Sequence, residues 1–410
     1  MAVNPSKVTT LQMSVWNIFL GQRQAPADVR IRGITDILRR KDMLDLVSVY
    51  FDKIVPYYDF IDRDSLEQAI SRRWLSDITS ATQDAVLCGV AALACIFCSL
   101  KDLVTEWELV SSAKHLLDLN DVETVTVETA TAWVLYTIYL RLTAKPEEAW
   151  MSSCTAMHIV DAAGLHCENR QDSGSPTFRG DRREETRRNI HHVAQHLNAW
   201  MSFDLGRSRV VLQVERCGLV LARPTKYATD LLGLLPYTEI LDPNNVLSID
   251  ELAGLLNEVT SRTNTQPPAV LAQCNLMFCI CRRLQSIGAR VFGELLEKVL
   301  ELTRRGFQAV YASLSDGNPW YHVANVPFQS TCILLAIDSS RSFTLLSEAM
   351  SCLDAVCQIY RTDATRRAVN TARALVLVHQ RRREANLERQ SEMLRLCFAA
   401  LPASDVTREF

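Results

Sequence analysis

Residues that interrupt helices are scarce in this chain, and their scarcity limits the folds open to it. Glycine occurs 14 times and proline 13 times in 410 residues. Barrels, sandwiches and glycine-looped nucleotide folds need more turn residues, whereas Ala, Leu and Arg favour helices. Apolar side chains recur at helical spacing from about Ile34 onward, and strand patterns are few. The sequence therefore predicts an all-α protein, built as a large irregular multi-helix bundle.

Interruptions in this pattern divide the chain into four parts. Residues 1–33 are predicted to be a loosely ordered leader, and residues 34–225 a first helical region. Residues 226–247 contain several turn residues, which predicts an irregular connection. Residues 248–410 return to the helical pattern and are predicted to pack on the first region. There is no repeat of fixed period, so a regular solenoid is not predicted.

The end of the chain is predicted to form two separate helices, Ala364–Leu377 and Asn386–Ala399. The second is amphipathic, which suits either a dimer seam or, more simply, a terminal helix docked on the body. Between them, Arg381-Arg382-Arg383 is a candidate nuclear import signal, with exposed helix surface as the plainer interpretation.

Composition excludes several classes of protein. Hydrophobic residues make up 48% and charged residues 22% of the chain, so wholesale disorder is excluded. The net charge of -3 gives no general sign of nucleic-acid binding. The 13 cysteines are odd in number and lie mostly in apolar runs, which predicts free thiols in a reducing compartment. We see no secretory signal, and the most apolar stretch, Ala85–Leu100, is too short to cross a membrane.

Several short motifs follow one another in an order that is more informative than any one of them. They are Tyr50-Phe51-Asp52-Lys53-Ile54-Val55-Pro56, Glu148-Ala149-Trp150-Met151, Gly164-Leu165-His166, Glu184-Glu185-Thr186-Arg187-Arg188, Gly206-Arg207-Ser208 and Asn325-Val326-Pro327-Phe328-Gln329. This series resembles the regulatory region of fungal binuclear zinc-cluster transcription factors, known as the middle homology region or fungal-specific transcription factor domain. The similarity covers residues 44–225 well and residues 245–400 loosely.

The chain departs from that family in one way that matters for function. A binuclear zinc cluster needs six closely spaced cysteine thiolates in a basic segment. The first cysteine here is Cys88, and no six-cysteine motif follows. Smaller departures are Asn198 in place of an aspartate and Ser208 in place of a proline. The family's DNA-reading activity is therefore not carried over to this chain.

The motif residues that we single out are Gly164, Leu165, His166, Arg187, Arg188, Gly206 and Arg207. Gly164 suits the left-handed conformation that ends a helix, and His166 could hydrogen-bond the terminal carbonyls. Glu184 and its neighbour suit a helix N-terminus, where their charge meets the helix dipole favourably. We expect architectural roles for this set, with a ligand or partner surface as the alternative. No catalytic, cofactor-binding or metal-ligating residue is predicted.

Four further patterns are candidates for a metal-binding or reactive site. Cys95 and Cys98 form a CxxC pair, and Cys279 and Cys281 lie close to Cys274, but buried thiols are the simpler interpretation of both. His192 and His196 are spaced to meet one zinc ion on a helix, although a third ligand is not evident. Asn120, Thr124 and Glu128 match the magnesium triad of terpene cyclases, without the aspartate-rich partner motif.

By resemblance, the chain is predicted to be a nuclear transcription regulator of a fungal pathway such as a secondary-metabolite gene cluster. Without its own DNA reader it would need a protein partner, either a zinc-cluster transcription factor or a co-regulator, and would meet DNA only indirectly. A small-molecule effector could act on the helical body, and no cofactor or membrane is expected. Two alternatives stay open: an enzyme or small-molecule-binding protein of the same pathway, and a gene model that lacks an upstream exon.

Overall fold

All regular elements in the described part of the chain are helices, which confirms the all-α prediction. The computed structural model describes residues 18, 20, 26–76, 80–98, 103–119, 125–143, 146–167, 178–212, 230–242 and 245–399, with the backbone alone at 178–182 and 398–399. The helices are α1 Ile34–Ile37, α2 Arg40–Lys53, α3 Arg63–Leu75, α4 Ala81–Phe97, α5 Leu103–Asp118, α6 Val127–Thr143, α7 Pro146–Ala162, α8 Phe178–Leu205, α9 Leu235–Ile240, α10 Ile249–Ser261, α11 Pro267–Ser286, α12 Gly293–Ser315, α13 Asn325–Ile337, α14 Ser340–Ile359 and α15 Asp363–Ala399.

Helix α4 is the centre of the first helical region, and it packs against α2, α5 and α6. Nearly all of its side chains are buried, because its sequence is apolar all round and not only along one stripe. Gly89 permits the closest approach: a Cβ there would lie 3.0 Å from Cβ of Leu135 on α6. Helices α7 and α8 pack in turn on α6.

Helix α11 has the same central position in the C-terminal region, where it contacts α10, α12 and α13. Helix α10 begins with a capping box, in which the Ser248 side chain accepts from the Glu251 amide and the Glu251 side chain accepts from the Ser248 amide. Helix α14 completes the layer against α12 and α13. Buried side chains from both helical regions, from Ile34 to Val356, belong to one continuous hydrophobic core.

The predicted break between two terminal helices is wrong, because α15 is a single helix of 37 residues. The segment between the predicted pieces is rich in Arg, Glu and Ala, which favour helices, and it contains neither Gly nor Pro. The first turns of α15 pack on α13 and α14, where Ala368 and Ala372 are buried. Farther along, Leu387, Leu394 and Leu396 are all more than half exposed, so this part is not docked on the body as its simpler interpretation assumed.

Two residues of the predicted leader make hydrogen bonds with the C-terminal part of the chain. Most of residues 1–33 lies outside the described residues, but the Ile18 amide donates to Asn325 Oδ1 at 3.0 Å, and the Leu20 carbonyl accepts from Thr362. Each of the twelve described cysteines is a free thiol, and about half of them are buried. Among the described helices, none combines the length and the apolarity needed to cross a bilayer.

Candidate functional site

Gly164 and Arg187 connect the end of α7 to α8. Helix α7 ends at Ala162, and Gly164 has a φ of +63°, a left-handed conformation that glycine adopts without steric cost. The amide of the buried Leu165 donates to the Val160 carbonyl at 3.0 Å, which closes the helix end. Nη2 of Arg187 donates to the Gly164 carbonyl at 2.9 Å. These contacts hold the two motif helices in one arrangement.

Gly206 and Arg207 form a second turn at the other end of α8. Gly206 has a φ of +60° and directly follows the last residue of the helix. The Arg207 amide donates to the Ser202 carbonyl at 2.8 Å, and the Arg207 guanidinium lies 5.7 Å from the centre of the Trp150 ring. Nε1 of Trp150 donates to Ser202 Oγ at 3.1 Å. The tryptophan motif and the Gly-Arg motif are therefore in direct contact.

The remaining motif residues have different surroundings from those expected. Nε2 of His166 lies 3.4 Å from Asp161 Oδ1, a carboxylate one turn back on α7. Nε of Arg188 donates to the Glu184 carbonyl at 3.4 Å, within α8 itself. The expectation that Glu184 sits at a helix N-terminus is wrong, because α8 begins earlier, at Phe178. The helix therefore starts six residues before Glu184.

A buried charge pair lies at the centre of the molecule, between Arg141 on α6 and Asp204 on α8. Their side chains are 6% and 1% exposed, and Arg141 Nη2 lies 3.8 Å from Asp204 Oδ2. This separation is within ion-pair range but longer than a good hydrogen bond. The Arg141 guanidinium also lies over the ring of Tyr321, 4.3 Å from its centre, in a cation–π contact. Tyr321 lies between α12 and α13, so a later part of the chain packs on the pair.

A chain of side-chain amides continues from Asp204 into the C-terminal helices. Asn275 Nδ2 donates to Asp204 Oδ1 at 2.7 Å, Asn325 Nδ2 donates to Asn275 Oδ1 at 2.9 Å, and Gln329 Nε2 donates to Asn325 Oδ1 at 3.3 Å. All four side chains are buried. Because buried polar groups are costly unless they are hydrogen-bonded, this network specifies how α8, α11 and α13 lie against one another.

Three consecutive rings enter the first helical region from the turn between α12 and α13. We call residues 320–322 the aromatic turn. The ring of Trp320 lies 4.7 Å from that of Tyr57 and 5.2 Å from that of Phe97, measured between centroids. Nε2 of His322 lies 3.7 Å from Asp204 Oδ2. The turn therefore places Tyr321 against Arg141 and His322 beside Asp204.

Burial sets the protonation of the rings around the pair. The pKa of His196 is lowered to about 3, chiefly by burial and also by the neighbouring Arg141 and His322. The pKa of His322 is also lowered, chiefly by burial, although Asp204 partly offsets this. Burial raises the pKa of Tyr321 well above its ordinary value, and its hydroxyl is hydrogen-bonded to Asp204. Neutral rings therefore surround the Arg141–Asp204 pair at neutral pH.

A small cavity lies beside Arg141, and its walls come from both helical regions. They are formed by Tyr58, Ile138, Arg141, Leu142, His196, Trp200, Leu231, Pro268, Leu271, Ala272 and residues 320–322. The cavity has about 30 Å³ of room for water, enough for one or two molecules. Within the described part of the chain, Nε and Nη1 of Arg141 and Nε1 of Trp200 and of Trp320 are buried without a hydrogen-bond partner. Two imidazole nitrogens of the cavity walls, Nδ1 of His196 and Nε2 of His322, are likewise without a hydrogen-bond partner in the described chain.

The described residues do not form the candidate metal sites that the sequence patterns suggested. Within the described ranges, no three His, Cys, Asp or Glu side chains come together where one metal ion could bind. His192 and His196 are both buried on α8, and burial lowers the pKa of each. Of the triad, Asn120 and Thr124 lie outside the described residues.

Three of the described thiols lack the environment of a reactive cysteine. Burial is the chief reason why the pKa of Cys98 is raised, and it raises the pKa of Cys281 to about 12. A nucleophilic or redox-active thiol has a depressed pKa instead. Cys274 is likewise raised to about 12. These three thiols pack in the helical body and are not activated in it.

Sequence reasoning did not single out Arg141, Asp204 or the aromatic turn. Arg141 had a usable signal, because a lone cation between Leu140 and Leu142 in an apolar helix needs a buried partner. The partner could not be identified, since Asp204 lies on another helix. Nothing in the sequence marked the Trp-Tyr-His run at residues 320–322 as an insertion into the first region.

The fold and the site together define the class of protein: it is an all-α body in which buried polar side chains of the described core connect one helix to another. Residues 47–217 match the family model described as the fungal specific transcription factor domain. Protein RDR1 of Gibberella zeae is 39% identical over 409 residues, which cover 100% of this chain and 75% of the relative. Transcription factor kojR of Aspergillus oryzae is 36% identical over 390 residues, 94% of this chain and 70% of the relative.

Protein RDR1 of Saccharomyces cerevisiae is 29% identical over 350 residues, which cover 84% of this chain and 64% of the relative. The chain belongs to the family of fungal transcription factors that carry the fungal specific transcription factor domain. It is a transcription regulator, as the resemblance of its motifs predicts.

Proposed function

We propose that this chain is the regulatory body of a nuclear transcription regulator, and that the contact between its two helical regions sets its regulatory state. The first region would be residues 34–225, joined through residues 226–247 to the second, residues 248–410. In this proposal the body reaches DNA through a zinc-cluster transcription factor or co-regulator. Its targets would be the genes of one fungal pathway, such as a secondary-metabolite gene cluster.

The observation that carries the proposal is the buried polar centre between the regions. A buried ion pair is weak evidence for stability, since desolvation offsets much of its attraction. A hydrophobic contact of the same size would have served stability as well. Polar groups specify one arrangement, and an arrangement that is specified but not strongly stabilised is suited to switching. We therefore assign the Arg141–Asp204 pair and the aromatic turn to regulation.

The seven family-motif residues have a supporting role in this proposal. Gly164, Arg187, Gly206 and Arg207 join α7 to α8 through contacts with backbone carbonyls and with a ring. Helix α8 is also the helix that carries Asp204. The motifs would thus hold the helix that presents Asp204 to the C-terminal region.

We further propose that the chain is not an enzyme. The raised pKa values of its buried thiols are opposite to what nucleophilic catalysis requires. Asp204 and the three side-chain amides that continue from it are hydrogen-bonded to one another, which suits a structural junction. The alternative of an enzyme on the same scaffold would require turnover of a pathway intermediate by the purified chain.

A tethered reporter tests the regulatory role. The full chain is fused to an unrelated DNA-binding domain in a fungal host, and transcription is measured from a promoter with the matching operator. We expect a several-fold change in output, which Trp320→Ala reduces and Phe292→Ala leaves intact, because the Phe292 side chain is 79% exposed. Circular dichroism of the purified variants and a Trp320→Phe variant separate lost regulation from lost folding. Wild-type fusion without effect on the reporter would overturn the proposal.

The partner and the compartment are tested together. Tagged full-length protein is recovered from nuclear and cytosolic extracts, and the bound promoter DNA is sequenced. We expect nuclear recovery, with promoters present only when a zinc-cluster protein is recovered as well. Promoter binding by the purified chain alone would contradict indirect DNA contact, and a purely cytosolic protein would contradict the nuclear assignment.

A further inference from the structure

Arg141 is a buried cation with donors to spare. Its side chain is 6% exposed, and its contact with Asp204 is made through Nη2 alone, at 3.8 Å. Nε and Nη1 have no hydrogen-bond partner among the described residues, and the side chain lines the cavity. Leaving donors of a buried charged group unsatisfied is costly, so the contents of the cavity must accept hydrogen bonds from it.

The other wall residues restrict the chemical class of ligand that the cavity can bind. Trp200 and Trp320 also line this cavity, and the indole N–H group of each is buried without a hydrogen-bond partner in the described chain. Leu142 and Leu271 provide apolar surface, and the neutral His196 adds no second positive charge. A cation is disfavoured beside the guanidinium. A ligand with oxygen acceptors on a planar, partly apolar frame matches these walls.

Asp204 limits the charge that the ligand can carry. Its carboxyl group lies against Arg141, so a dianion such as phosphate would meet a second negative charge at close range in a region of low dielectric. A single negative charge shared over two oxygens is repelled less, and it matches the guanidinium in geometry. The site therefore favours a carboxylate over a phosphate.

Because the cavity is small, the binding of a ligand in it is coupled to the conformation of the protein. Room for one or two waters admits a carboxylate head but not the ring or chain attached to it. A larger acid would have to displace wall residues, and those walls belong to both helical regions, for example Trp200 in the first and Trp320 in the second. A ligand that binds better when the walls separate shifts the molecule towards that state.

We propose that the cavity beside Arg141 binds the carboxylate group of a small organic acid, and that this binding shifts the contact between the two helical regions. The regulatory half of this inference rests on the proposed function. The binding half does not, because it concerns a site on the purified chain.

Binding is tested by calorimetry and thermal shift on the purified full chain at neutral pH. The ligands are acetate and benzoate, and the controls are acetamide and benzamide, which have the same shapes without the charge. We expect saturable binding of the acids that is roughly tenfold or more tighter than that of the amides, because a charge-assisted hydrogen bond is about twice as strong as a neutral one. Equal behaviour of acids and amides, or no binding of either acid, would overturn the proposal.

Variants assign the binding to this cavity. Arg141→Met should abolish binding of the acids, whereas Arg304→Met, at an exposed arginine on α12, should leave it unchanged. Because Arg141→Met alters the core, Trp200→Phe provides a milder change that removes one donor and keeps a ring, and it should weaken binding by roughly two- to tenfold. Unchanged affinity in both cavity variants refutes the assignment.

The two proposals fail separately. If the acids bind but the tethered fusion does not alter the reporter, the site stands and the regulatory role falls. If the reporter responds but neither acid binds, the regulatory role stands and the carboxylate site falls.

Discussion

The Arg141–Asp204 pair permits a quantitative test of the buried centre. Removing either charge leaves the other buried without its partner, which typically costs about 3–5 kcal/mol of stability. Removing both should cost less than the sum, because no unpaired charge remains. We therefore expect Arg141→Met and Asp204→Asn each to be strongly destabilising, and the double variant to be more stable than the sum of the two effects implies.

The size of this coupling follows from the geometry. The charged atoms are 3.8 Å apart, and at an effective dielectric constant of about 20 two unit charges at this separation attract by about 4 kcal/mol. Asp204→Asn keeps an oxygen that can accept from Asn275, which donates to Oδ1 at 2.7 Å. The substitution thus removes the charge and keeps the amide chain, so the coupling reports mainly on the ion pair.

The assay is urea unfolding of the wild type, both single variants and the double variant. The Arg304–Glu301 pair on α12 is a matched control, since its atoms are 2.6 Å apart but its side chains are 46% and 61% exposed. Exposed pairs contribute about 0–1 kcal/mol, so Arg304→Met and Glu301→Gln should be nearly additive. A central coupling below about 1 kcal/mol, no larger than that of the surface pair, would refute a low-dielectric ion pair.

Three further predictions concern packing, pH and the terminal helix. Gly306→Ala should cost about 1–3 kcal/mol in urea unfolding, because a Cβ there would lie 2.8 Å from Sγ of Cys274, whereas Gly254→Ala meets nothing within 4 Å and should be neutral or stabilising; equal effects would contradict the packing. Stability should fall as the pH drops below about 6.5, because His196 then gains a proton in the unfolded chain but stays neutral in the folded protein, where its pKa is about 3. The substitution His196→Asn should reduce this loss of stability between pH 6.5 and pH 5 by on the order of 2 kcal/mol. An unchanged dependence of stability on pH would show that this imidazole is not buried. Leu394→Glu should change stability by less than about 0.5 kcal/mol, since the side chain is 57% exposed; a larger loss would mean that the end of α15 is covered.

Much of the fold could be predicted because helices leave local signals. The glycine at 164 predicts a helix end, and the structure confirms a helix that ends at Ala162. The end of the chain shows the limit of such signals. Two amphipathic patterns predicted two helices, but the residues between them favour helix on their own, so α15 runs through.

The family could be identified for a related reason. Gly164 and Gly206 each have a positive φ at a helix end, a backbone requirement that restricts the residue type and so leaves a motif. Arg187 is paired with one of these turns by a hydrogen bond to the Gly164 carbonyl. Motifs of this kind are short and tied to local geometry, which is why their order along the chain was sufficient.

The sequence by itself determined the helical class and the family, because both depend on which residues stand near one another along the chain. Only the tertiary structure decided that Arg141 meets Asp204, and that residues 320–322 insert beside them. These partners are separated by 63 residues or more along the chain, a distance at which helical periodicity predicts nothing about contact. A buried charge specifies that it needs a partner, and the packing of helices decides which residue that partner is.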